Sequence, residues 1–277
     1  MGDSKMTYEE LLKLTSYGIF AMNFKGTSVN DKRLAKCKHI KNAMHDGIYV
    51  GSPGKDIYNM LPHLSEEQID ELANRLESEF PKTPPGNHVN VGALVRFIYG
   101  VFEKKGALRS NEDFKRMKKE KLDWDLPIKF IDLLYKKMEK NNNYYGLTIL
   151  CEMKAHRLGD KAVIHKDEDK LDDMELLYCK AVKYGSRCNS YKHMFTPYYW
   201  AFRYFEKWGD IDKSINYAFM TFVQADIYCP DARPGYITKL KDCFKCIEKH
   251  KDKKEVSSFV KKYKNSKNKC VRKLFGK

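Results

Sequence analysis

The chain has 277 residues, enough for one large or two modest domains with a packed core, and a content of 42% hydrophobic and 13% aromatic residues excludes a disordered polymer. No run of about 18 or more apolar residues occurs, so a transmembrane helix is not expected. The net charge of +15 is concentrated: from Lys249 to Lys277 twelve Lys or Arg stand against Asp252 and Glu255, a net of +10, which leaves +5 for the remainder.

At the N-terminus, MGDSKMTYEE brings acids early and no apolar signal core, and Met6 stands where a myristoylation pattern from Gly2 requires Ser or Thr. Neither secretion nor lipidation is expected. The eight cysteines are scattered through a chain too long to need disulfide staples, which predicts reduced, packed thiols in an intracellular protein.

In chain order, residues 8–24 have apolar side chains at helical spacing, with Glu9 and Glu10 favouring the positive helix start. A second helix over 31–46 begins at an Asn30/Asp31 cap and stops at Gly47. The loop 47–55 superficially resembles a phosphate-binding loop, but Tyr49 holds the place of its first glycine and Asp56 that of its Ser or Thr. Ser65 and Gln68 form a capping box that opens a helix to about residue 80. The run PKTPPGN at 81–87 is the strongest punctuation in the chain and a candidate subdomain boundary. Residues 91–104 are apolar nearly all round and predict a buried helix; Asn111 caps a charged helix over 112–121; Pro127 starts another that ends in Asn141–Asn143. No strand signal is long enough for a sheet.

From Tyr144 a repetition appears. Tyr144-Tyr145-Gly146 leads through an apolar helix to a predicted turn at Gly159-Asp160, and Tyr198-Tyr199-Trp200 leads through another to Gly209-Asp210. Second helices follow over 171–184 and 211–228, and a third pair over 237–249 and 255–264. This arrangement resembles tetratricopeptide-type repeats, although the two Gly-Asp dipeptides are about 50 residues apart against the family's period of about 34. The resemblance covers residues 144–249. It implies stacked antiparallel helical hairpins, with Trp200, Tyr204 and Tyr217 as interlocking aromatics and Ala201 and Ala218 as small contacts. The expected fold is all-α, a helical bundle leading into solenoid-like stacked hairpins. Its expected divisions are an N-terminal helical subdomain (1–80), a hairpin core domain (88–249) and a basic C-terminal tail (250–277).

Candidate chemistry is sparse. Cys243, Cys246 and His250 fall at i, i+3 and i+7 on one side of a helix, where a metal is conceivable, but a mid-helix apolar stripe favours core packing, so no metal or other cofactor is expected. His156, His165 and His193 lack a glutamate at metalloprotease spacing, and the acidic run 167–173 has neither the glycine nor the closing glutamate of a calcium loop. That run fits the first turn of a helix. No nucleophile has a recognisable base, and catalysis is not expected. The candidate binding residues are therefore those of the tail: Lys261, Lys262, Tyr263, Lys264, Lys267, Lys269, Arg272 and Lys273, with Tyr263 and Phe275 placed to stack on exposed bases. The expected function is a non-enzymatic scaffold or adaptor in a larger assembly such as a virus particle, its tail contacting an acidic partner or nucleic acid. The alternative is a nucleoprotein-like protein that packages RNA or single-stranded DNA.

Overall fold

The structure is a computed structural model that describes residues 7–9, 63–79, 82, 125–190, 192–228 and 234–275. All regular secondary structure among these residues is helical, with no strand, as the sequence pattern predicts. The chain divides into two compact units, Met1–Met153 and Lys154–Lys277. The predicted helices over 31–46, 91–104 and 112–121, most of that over 8–24, the loop 47–55 and nearly all of the 81–87 punctuation lie outside the described residues.

In the first unit, α1 (Glu66–Glu79) packs against α2 (Asp125–Lys140). The capping box at the start of α1 is formed in both directions: Gln68 N donates to Ser65 Oγ at 3.2 Å, and Ser65 N donates to Gln68 Oε1 at 3.0 Å. Leu72, Ala73 and Leu76 on α1 and Ile131, Leu134 and Met138 on α2 are buried, and Lys137 joins the two helices at the surface through Asp70 (2.7 Å). The Asn run ends α2 as predicted. Asn142 turns the backbone in the left-handed region at φ 51°, and Asn143 Oδ1 caps the next helix by accepting from Gly146 N at 2.9 Å.

That helix, α3 (Tyr144–His165), overturns one expectation. Gly159-Asp160 is not a turn, because α3 runs through it without a break. A Cβ on Gly159 would stand 2.7 Å from Met174 Sδ and 2.8 Å from the Tyr204 ring, so the glycine permits close helix packing. The corresponding dipeptide at Gly209-Asp210 is a true turn: Gly209 has φ 98°, and a Cβ there would meet nothing within 4 Å. The division between the units also falls within α3, at neither of the breaks placed from the sequence.

The second unit continues with α4 (Glu168–Arg187), α5 (Lys192–Trp208), α6 (Ile211–Tyr228), α7 (Pro234–Lys249), α8 (Lys254–Lys264) and α9 (Lys269–Phe275). The acidic run starts α4 as expected, with Asp167 Oδ1 accepting from Lys170 N at 3.1 Å and Glu168 and Asp169 in the first turn. Helix α5 packs on α4 and on α6, and α6 on α7. Tyr204, Tyr217, Ala201 and Ala218 are all buried at these contacts, and the Phe205 and Tyr217 rings stack with centroids 5.5 Å apart.

Residues 250–277 are not a separate tail. Helices α8 and α9 belong to the second unit and pack on each other, and α9 also packs on α7. Phe259 stacks on Phe219 of α6 (4.0 Å) and on Tyr263 (4.4 Å), while Phe275 meets Phe222 of α6 (4.8 Å) and Phe244 of α7 (5.0 Å) edge-on. Asn268 connects two helix ends. Its Oδ1 accepts from Val271 N at 3.3 Å, and its Nδ2 donates at 3.1 Å to Ala225 O, one of the carbonyls left over at the end of α6.

Two substitutions test this packing. Gly159→Ala should lower stability by about 1–3 kcal/mol in urea denaturation, because the added methyl group meets Met174 and Tyr204; an unchanged midpoint would mean that the helices do not approach so closely. Tyr263→Ala should cost about 3–5 kcal/mol, as for other large aromatics removed from a core, whereas its exposed neighbour Lys262→Gln should stay within about 0.5 kcal/mol. Equal, small effects from both would return Tyr263 to the surface.

Candidate functional site

The most concentrated polar chemistry lies inside the second unit. The Tyr204 hydroxyl is 2.7 Å from Asp160 Oδ1 and 3.1 Å from His156 O, and Tyr178 Oη is 2.7 Å from His156 Nδ1. Arg157 Nη1 pairs with Asp160 Oδ2 at 3.8 Å, and the Trp200 ring meets the His156 ring edge-on at 5.0 Å. Burial and the adjacent Asp160 charge hold the Tyr204 phenol well above its ordinary range, so it stays protonated and donates. Tyr178 and Asp160 have no exposed surface and Tyr204 has 1%. These buried groups hold one another and join α3, α4 and α5. The sequence pattern picks out His156, Trp200 and Tyr204 separately and reads Asp160 as part of a turn, but it does not join them, because Tyr204 and Asp160 lie 44 positions apart.

A second cluster joins α5 to α7 at the surface. Asp242 accepts from the Tyr199 hydroxyl at 2.9 Å and from Arg203 Nη1 at 3.4 Å, while Arg203 Nε pairs with Glu206 at 3.4 Å. Arg203, Glu206 and Asp242 border a groove of about 610 Å³ with Phe202 and Cys246 among its lining and Lys249 at the end of α7. Arg203 already engages two of the groove's carboxylates, so the arrangement acts as a clasp between helices. Lys239 of α7 also lies over the Tyr199 and Trp200 rings, at 4.2 and 4.6 Å.

Of the sequence-predicted trio, Cys243 and Cys246 are core residues of α7 and His250 is half-buried in the turn beyond it. Cys243 has no exposed surface, and burial pushes its thiol well above the usual range against the smaller effect of the Thr221 hydroxyl. Burial raises Cys246 as well, against Ser214 of α6. Thiols held protonated are poor nucleophiles and poor metal ligands. Among the described residues no group of three or more His, Cys, Asp or Glu side chains is placed to hold a metal ion.

The predicted binding residues divide cleanly. Lys261, Lys262, Lys264, Lys267, Lys269, Arg272 and Lys273 are all exposed. Tyr263 is 4% exposed and Phe275 2%, so neither stacks on a base; the expectation that they interleave with the lysines as ligands is corrected by their place in the core. Apolar Val256, Tyr263, Val271 and Phe275 face inward at helical spacing, and the cations occupy what remains. Among the described residues none of the seven cations has an ion-pair partner, whereas Lys253 just before α8 is held at 2.5 Å by Asp212 of α6. The candidate site is this cationic face of α8–α9.

No family model matches the chain, and comparison with curated proteins and with solved structures finds no match for it.

Thiol burial is directly testable. In the native protein an alkylating reagent should label exposed Cys179 well before Cys243 or Cys246, as read by peptide mass mapping. Early labelling of Cys243 would remove it from the core and reopen the metal reading.

Proposed function

We propose that the chain is a non-catalytic scaffold or adaptor in a larger assembly, which docks an acidic partner on the cationic face of α8–α9. The observation that carries this reading is the exposure of seven cations on α8, α9 and the short connection between them, held by an aromatic core. A loose polybasic tail loses conformational entropy whenever it binds. Cations displayed on a docked cap have their backbone ordered beforehand, and preorganisation of that kind favours affinity. The same segment contains Glu255 as its single acid between residues 254 and 275, so a negative partner meets little competition from within the cap. The concentrated titratable chemistry elsewhere in this unit is turned into the core or tied up between helices, which supports a binding role over a catalytic one.

The test compares the full chain with a variant carrying Gln at all seven cation positions. The variant should keep its helical circular dichroism and its melting temperature within a few degrees, since exposed substitutions of this kind are near-neutral. What is recovered with the wild-type chain at low salt, proteins by mass spectrometry and nucleic acid by nuclease-sensitive absorbance, should be acidic, and the variant should fail to retain it. Identical partners for both proteins, or none for either, would overturn the reading.

A further inference from the structure

Building on that reading, we propose that the acidic partner is the phosphate backbone of a nucleic-acid duplex, bound without regard to base sequence. What the cap exposes and what it hides both point that way. Specific protein interfaces draw their energy from buried aromatic and Arg anchors, and they are depleted in Lys. From Lys254 to Phe275 the exposed cations are seven lysines and one arginine, while two of the segment's three aromatics, Tyr263 and Phe275, are in the core and the third, half-buried Phe259, is stacked on Phe219 and Tyr263. The exposed large apolar side chains among the described residues, Leu176, Ile211, Met220 and Ile227, all lie outside the cap. Such a surface lacks the anchors of a protein interface. Lysine is a compact, hydrated point charge that meets phosphate oxygens without bidentate geometry, so a lysine array fits a repeated phosphate chain.

The same facts separate duplex from single strand. Binding of exposed bases uses aromatic platforms, and here Tyr263 and Phe275 are hidden and half-buried Phe259 is already stacked on Phe219 and Tyr263. What remains is backbone contact, which positions a protein on nucleic acid but reads no sequence. A duplex carries a higher charge density than a single strand and releases more counterions for each cation that binds. The short separation of Lys261, Lys262 and Lys264 at the end of α8 from Lys267 before α9 and Lys269 at its start keeps the cations within one folded cap.

The experiment measures fluorescence anisotropy of labelled duplexes with the full chain across a salt series. If roughly five phosphates are neutralised, the logarithm of affinity should fall against log salt with a slope of about −4.5, a loss of about 10²–10³-fold between about 50 and 200 mM. Duplexes of unrelated sequence should bind within about twofold of one another, and a single strand of equal length should bind more weakly. A triple variant, Lys261→Gln, Lys262→Gln and Lys264→Gln, should reduce the slope by about one for each phosphate that is no longer neutralised, while keeping its melting temperature. A slope unchanged in that variant, or tighter binding of the single strand, overturns the proposal. So does preferential binding to a glutamate-rich peptide or to phosphatidylserine vesicles; either result would leave the cap as an acidic-partner site and remove only the duplex. Absence of salt-dependent binding to every one of these probes would overturn the duplex proposal and the docking function together.

Discussion

Tyr204 donates its hydroxyl hydrogen bond to Asp160 in a place where neither group meets water, and much of the C-terminal unit is arranged around that bond. A carboxylate without solvent requires donors close by, and it is unstable there if either is removed. Tyr204 supplies a hydrogen bond, and the Arg157 guanidinium adds its opposite charge at 3.8 Å. For the phenol to reach Asp160, α5 must lie hard against α3, and the backbone at Gly159 has room for that ring only because it carries no Cβ. Tyr178 and Trp200 then close around His156. Once the aromatic side of α5 is occupied in this way, its remaining surface meets α4, α6 and α7.

The cationic cap follows from the far side of the same packing. Phe219 and Phe222 of α6 and Phe244 of α7 leave aromatic surface that Phe259, Tyr263 and Phe275 cover. Each large side chain buried in this manner contributes about 1.5–3 kcal/mol, with about 0.5–1.5 kcal/mol more for each favourable ring pair. Asn268 adds hydrogen bonds to the ends of two helices, so the segment is held by its backbone as well as its rings. With the apolar positions turned inward, the lysines between them have no direction left but outward. Their display is a consequence of ordinary amphipathic folding, and their concentration into so short a segment is what gives the face a function to propose.

Among the described residues, local signals proved accurate where the interaction they describe is itself local. The Ser65–Gln68 box, the Asp167 cap, the Asn run after α2 and the turn at Gly209 each depend on residues within about four positions of one another, and each could be read from its own neighbourhood. Gly159-Asp160 was misleading because its dipeptide is the same as that at Gly209-Asp210, while the cause of the difference is a tyrosine on another helix. The Tyr199–Asp242–Arg203 clasp left no trace in the pattern for the same reason, its members being 39 and 43 positions apart.

Composition and periodicity by themselves determined that the chain is helical, where most of the described helices begin and end, that Cys243 and Cys246 lie on an apolar stripe, and that positive charge gathers after residue 249. Only the tertiary structure decided that this charged segment is a folded cap, that Tyr263 belongs to the core and its lysine neighbours to the surface, and that one Gly-Asp pair bends the chain while the other lets two helices touch. Helix periodicity reports which residues share a face, whereas burial depends on what another part of the chain brings to that face. For α8 and α9, the aromatic side chains of α6 and α7 make that decision.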